Sequence, residues 1–238
     1  MMTALIPYLV GVVFIAIHFL ANAFIPSEKV KRKKWFSFSG GLAVSYIFVY
    51  LLPTLHAEQT NIADPYLHLA MESEIYFVGL IGVVVFLGIQ ILIRQNYVSH
   101  ISSFWSAVAF YALYNALVSF VVLSFEVSGI QALFYCFAIG LHFIAVAHDL
   151  WREFPYEYNK YGRYVLGAGI VAGWIFALTV NLTPLLKSII FAFVAGAMIF
   201  NVFKHELPSD EETHFPTFAG AVLIYSTITM SLKFFFEW

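Results

Sequence analysis

Gly41-Leu-Ala-Val-Ser-Tyr-Ile-Phe-Val-Tyr-Leu-Leu-Pro53 and Gly196-Ala-Met-Ile-Phe-Asn-Val-Phe-Lys-His-Glu-Leu-Pro208 lie 155 residues apart and read alike. Each opens on a small residue, stays apolar for about three helical turns and closes on a Leu-Pro pair. Where the first copy has Tyr50 and Leu51, the second has His205 and Glu206. Repeated apolar helices, one of them ending in metal-ligand side chains, are a transporter signature.

The rest of the chain fits that setting. It is 61% hydrophobic and 11% charged, with a mean hydropathy of +0.84, where a soluble domain carries about a quarter charged residues. Apolar runs near the roughly 20 residues that cross a bilayer as a helix predict eight spans, at about 4–25, 36–55, 74–93, 104–125, 130–150, 163–182, 186–204 and 216–236. The expected architecture is an all-α, polytopic membrane helix bundle forming one transmembrane domain. Period-2 alternation is missing, which argues against a barrel. The first span is not read as a signal peptide, since its charges follow the apolar run and no small-residue cleavage pattern succeeds it. Glu126-Val-Ser-Gly129 separates spans four and five.

Cations orient the bundle. Lys29, Lys31, Arg32, Lys33, Lys34, Arg94, Arg152, Lys160, Arg163 and Lys204 fall on one side, and only Lys187 and Lys233 on the other. Both termini are therefore expected outside, with the basic loops cytoplasmic. The Lys29–Lys34 cluster reads first as a topology signal and second as a contact for anionic lipid. With that orientation, spans two and seven run in opposite directions, so the repeat is expected to be inverted, with spans four and five between its halves. Water-exposed loops are expected at Ala57–Ser73, Trp151–Gly162 and Leu207–Phe215. A net charge of −2 points to no nucleic-acid partner. The lone Cys136 permits no intrachain disulfide and reads as packing. Asn181-Leu-Thr183 forms a glycosylation sequon, but Pro184 and the nearby membrane argue against its use. Gly79, Gly82 and Gly88 suit close packing within the chain or against a second copy or another membrane partner.

Ionisable groups at membrane depth mark function by default. His142 stands near the middle of span five. Asp149 lies seven residues on, about 20° around the helix and so on the same face, with His148 beside it. An imidazole and a carboxylate on one face suit Zn²⁺ or Fe²⁺. Asn115 in span four offers a carbonyl oxygen or a bridge between helices; His18 and Asn22 read as interhelical hydrogen-bonding groups. At the inner end of span seven, His205, Glu206, Asp210, Glu211, Glu212 and His214 would line a cytoplasmic cavity together with His148 and Asp149.

These features together resemble the ZIP (Zrt/Irt-like) divalent metal transporters. The likeness covers the whole chain in topology and is specific over about 39–53, 138–149 and 194–208. It implies a metal centre built from a His-Asn-x-x-Glu-Gly type motif on span four and a His/Gln-x-x-Pro-Glu-Gly type motif on span five. Here the corresponding stretches read Tyr114-Asn115-Ala-Leu-Val118-Ser119 and His142-Phe-Ile-Ala145-Val146-Ala147. Of the central ligands only Asn115 and His142 remain, and a residual centre requires the two to converge. His205 and Glu206 resemble the family's ligands at the inner exit. Losing both glutamates removes the anionic ligands that offset dehydration of a divalent ion.

Two functions follow. One is transport of a divalent cation, zinc foremost, through an altered site of Asn115, His142, Asp149, His148, His205, Glu206 and His214. The other is a ZIP-like protein that does not transport and serves as a metal sensor or as a scaffold in a membrane complex. An intramembrane metal hydrolase is disfavoured, because no His-Glu-x-x-His motif or other His pair at i,i+4 occurs; the chain is not expected to be an enzyme.

Overall fold

The computed structural model describes residues 2–63, 71–95, 99–124, 129–207, 209 and 213–236. Among these all regular structure is helical: α1 (Met2–Phe24), α2 (Lys29–Tyr46), α3 (Leu52–Ala63), α4 (Glu74–Gln95), α5 (His100–Ser124), α6 (Gly129–Glu153), the single turn α7 (Pro155–Glu157), α8 (Arg163–Thr179), α9 (Pro184–Asn201) and α10 (Phe215–Phe236). π-Helical turns at Ile47–Leu51, Tyr158–Gly162 and Val202–Glu206 extend or join these helices without a break. Each expected span falls on a helix. Six of the helical rods are long and apolar enough to cross a membrane, and the protein is an integral membrane helix bundle.

The two similar stretches fold alike. Leu52 N–H donates to Ile47 C=O, and Leu207 N–H donates to Val202 C=O, both i→i−5 bonds and again 155 residues apart. In the first copy Pro53 supplies a cause: a proline within a helix has no N–H and its ring crowds the carbonyl four residues back, so the turn before it widens. In the first copy the carbonyl that Pro53 leaves without its helical donor is that of Val49, and Lys233 Nζ on α10 donates to it at 2.8 Å.

Helices pair as α1 with α6, α5 with α8, α2 with α10 and α4 with α9. Lipid is as apolar as leucine, so such pairs are held by close backbone approach at small residues rather than by hydrophobic burial. A Cβ on Gly41 would lie 2.6 Å from the Phe218 carbonyl oxygen, and one on Gly196 would lie 1.8 Å from that of Gly79. Gly169 and Gly173 bring α8 equally close to Ala112 and Ala116 of α5.

Two expected loops are helical instead. Residues 57–63 belong to α3, and buried Gln59 caps the next helix: its Oε1 accepts from Ile75 N–H at 2.9 Å and its Nε2 donates to Glu74 at 2.8 Å. Supplying a terminal N–H that lacks an intrahelical acceptor requires Gln59 at a fixed height, which the continued helix provides. Trp151–Gly162 folds as the end of α6, α7 and a π turn, because Pro155 starts the short helix and buried Tyr158 anchors it by donating to the His18 carbonyl at 2.7 Å. Residues 64–70, the segment 126–128, Pro208, the acidic run Asp210, Glu211 and Glu212, and the side chains of Asn22 and Arg94 lie outside the described residues.

Candidate functional site

The repeat's second π turn swings Glu206 into the bundle. Its carboxylate is 4% exposed and meets the imidazole of His142, which is 1% exposed. A carboxylate can only accept, so His142 Nδ1 donates to Glu206 Oε1 and Nε2 is left to accept the Tyr114 hydroxyl at 3.1 Å. Glu206, His142 and Tyr114 thus form a relay from the end of α9 through α6 to α5. Aromatic rings surround it: Phe86 meets Tyr114 edge-on at 5.2 Å, and Phe143 lies against both His142 and Tyr114. Such walls keep the local dielectric low, which strengthens the pair and raises the penalty for breaking it. Glu206 Oε2 and Asn201 Oδ1, one π-helical turn earlier on the same helix, are buried acceptors without hydrogen-bond partners.

Asn115 turns the other way. Its Nδ2 donates to His18 Nε2 at 2.8 Å and to the Leu166 carbonyl at 3.3 Å, tying α5 to α1 and α8. No hydrogen bond joins it to His142, so the expected pairing of these two residues is replaced by His142 with Tyr114. Adjacent helical residues point about 100° apart, and α5 offers Tyr114 to α6 while aiming Asn115 at α1.

The remaining candidates disperse. Asp149 is exposed and, with His205, lines a cavity of about 330 Å³ walled by Gln90, Phe110, Tyr111 and Leu150 and fringed by Arg152 and Glu153. His205 Nε2 donates to Gln90 Oε1 at 3.0 Å. His148 instead stacks against Trp151 and Phe36. His214 caps α10: its Nδ1 accepts from the Thr217 N–H and hydroxyl, and its own N–H is held by Ser37 Oγ. The expected cytoplasmic ligand set of His148, Asp149, His205, Glu206 and His214 is therefore spread over separate places, and among the described residues no three His, Cys, Asp or Glu side chains are grouped so as to hold a metal ion. Glu206 parts from its neighbour His205 because they occupy different sides of the π turn, one facing the core and one the cavity.

Lys29, Lys31, Arg32 and Lys34 project from the first turns of α2, exposed, with Lys33 half-buried and Lys31 paired with Glu28 at 2.8 Å. Cations at a helix N-terminus oppose its dipole, so this cluster does not serve helix stability. Sequence reading did not single out Gln90 or Asn201, although each is a lone amide in an apolar run; Tyr114 entered it as one of the polar residues of span four and as the residue standing where a histidine was expected, not as a partner of His142.

Residues 102–151 match a family described as "Protein of unknown function (DUF3270)". That stretch carries most of α5 and α6 and so includes Tyr114, Asn115, His142 and Asp149. No curated protein matches the chain.

Proposed function

We propose that this protein is a ZIP-like membrane carrier that moves a divalent cation, with zinc foremost, through a reduced centre made by His142, Glu206 and Tyr114. The observation that carries the proposal is a buried imidazole–carboxylate pair in the core of a membrane bundle. Ionisable groups are expensive at such depth and commonly mark ion pathways. In the resting form one proton sits between His142 Nδ1 and Glu206 Oε1. An arriving cation takes the Nδ1 lone pair and the carboxylate once the imidazole proton has moved to Nε2, from where it donates to the Tyr114 hydroxyl, while Glu206 Oε2 and Asn201 Oδ1 supply acceptors that now lack partners. The cavity beside His205 lies at the end of the bundle that bears the basic residues, which the charge bias assigns to the cytoplasm. It would receive the cation after the centre.

The matched π turns and helix pairs support an inverted repeat. Exchanging spans one, two, three and four for six, seven, eight and five turns the pairing of α1 with α6 into that of α8 with α5, and the pairing of α2 with α10 into that of α9 with α4. Purified protein in liposomes should take up Zn²⁺, Mn²⁺ or Co²⁺ above empty vesicles, and His142→Ala should abolish the uptake. His214→Ala, which removes only a helix cap, should leave it intact. A second reading is favoured by the relay's own hydrogen bonds: both nitrogens of His142 are already partnered, by Glu206 Oε1 and by the Tyr114 hydroxyl. No uptake of any of these ions by folded protein would overturn the carrier reading and leave the sensor or scaffold role.

A further inference from the structure

We propose a second site, for the headgroup of an anionic phospholipid, on the outside of the bundle where α7 runs through its π turn into α8. Two cations stand there three residues apart. Lys160 Nζ lies 5.4 Å from the centre of the Tyr156 ring and 5.1 Å from that of Tyr161, and donates to the Tyr156 hydroxyl at 3.2 Å. The Arg163 guanidinium lies 5.4 Å from the Phe19 ring and 5.2 Å from Tyr164. Trp105 of α5 packs on Tyr161 at 5.7 Å.

Four properties of this place point to a lipid. First, it is exposed to whatever surrounds the bundle: Tyr156, Tyr161, Tyr164 and Trp105 are large aromatics left uncovered, and tyrosine and tryptophan settle at headgroup level. Second, neither cation has a carboxylate within ion-pair distance among the described residues; the nearest acid in sequence, Glu157, faces His100 at 3.8 Å. Third, aromatic faces hold both cations in place, so little side-chain freedom remains to be lost when a phosphate binds. Fourth, Arg163 Nε is buried without a hydrogen-bond partner, so this guanidinium keeps an unused donor. A phosphate diester between Lys160 and Arg163 supplies the missing negative charge, and its acyl chains would run along the apolar outer surface of α8 past exposed Val171. Lys and Arg near the membrane surface attract acidic headgroups, at about 1 kcal/mol per cation.

Native mass spectrometry of the detergent-solubilised full chain, titrated with phosphatidylglycerol or phosphatidylcholine, tests the site. Wild type should retain phosphatidylglycerol in preference to phosphatidylcholine. Lys160→Gln/Arg163→Gln should bind phosphatidylglycerol roughly thirty-fold more weakly, as expected from the loss of two cations near the membrane surface, while Lys29→Gln/Lys31→Gln should keep the preference. Equal retention of the two lipids by wild type would overturn the proposal, as would an unchanged preference in the double variant or a larger loss in the α2 variant. Should the double variant fail to fold, Lys160→Gln alone decides, since Lys160 is exposed: about five-fold weaker binding upholds the site, and unchanged binding overturns it.

Discussion

The His142–Glu206 pair is defined by what surrounds it. Two groups that can carry charge are removed from water, and their mutual hydrogen bond has to offset that penalty. Truncating one partner strands the other, whereas replacing both with apolar side chains removes penalty and bond together. Glu206→Ala should therefore lower stability by about 3–5 kcal/mol, and His142→Phe/Glu206→Leu should recover most of it, as followed by thermal unfolding in detergent. Equal losses in the two variants would mean that the pair is not buried in the working protein. Sequence alone identified His142 and Glu206 as candidates, because ionisable residues stand out in apolar runs. It did not pair them. Read as a regular α-helix, span seven ends before Glu206 and sends it to the cytoplasm with His205. The π turn breaks that reading, and its only sequence signal is the Leu-Pro pair that follows.

Among the helices, close crossings carry the packing, and they differ sharply in tolerance. Gly196 has no room for a methyl group, because the carbonyl of Gly79 occupies the space; around Gly88, on the same helix as Gly79, a Cβ would meet nothing within 4 Å. Gly196→Ala should cost about 1–3 kcal/mol through overpacking and reduce the yield of folded protein, whereas Gly88→Ala should be neutral or stabilising; yield and melting temperature of the two variants check this. The spans themselves were legible because length and hydropathy suffice to mark them. Helix continuity through 57–63 and 151–162 was not, because it depends on side chains such as Gln59 and Tyr158 finding partners on distant helices.

At the scale of the whole molecule, the charge bias predicts an orientation that can be tested. In a Cys136→Ser background, Lys31→Cys should react with an impermeant maleimide only after the membrane is opened, and Met71→Cys, between α3 and α4, should react from outside. Labelling in the opposite order would invert the bundle and, with it, the direction in which the cavity beside His205 faces. The two similar stretches use their π turns differently. Lys233 fills the carbonyl left open by Pro53 after the first, while the second uses its widened turn to deliver a carboxylate.

The matched π turns also bear on ancestry. A π turn fits one residue more into its helical turn than an α-helix does, and the two at matching register each stand ahead of a Leu-Pro pair. If the two stretches descend from one, the Leu-Pro pair was inherited together with its turn, and the ancestral helix already had the geometry that one copy turned into the seat of Glu206.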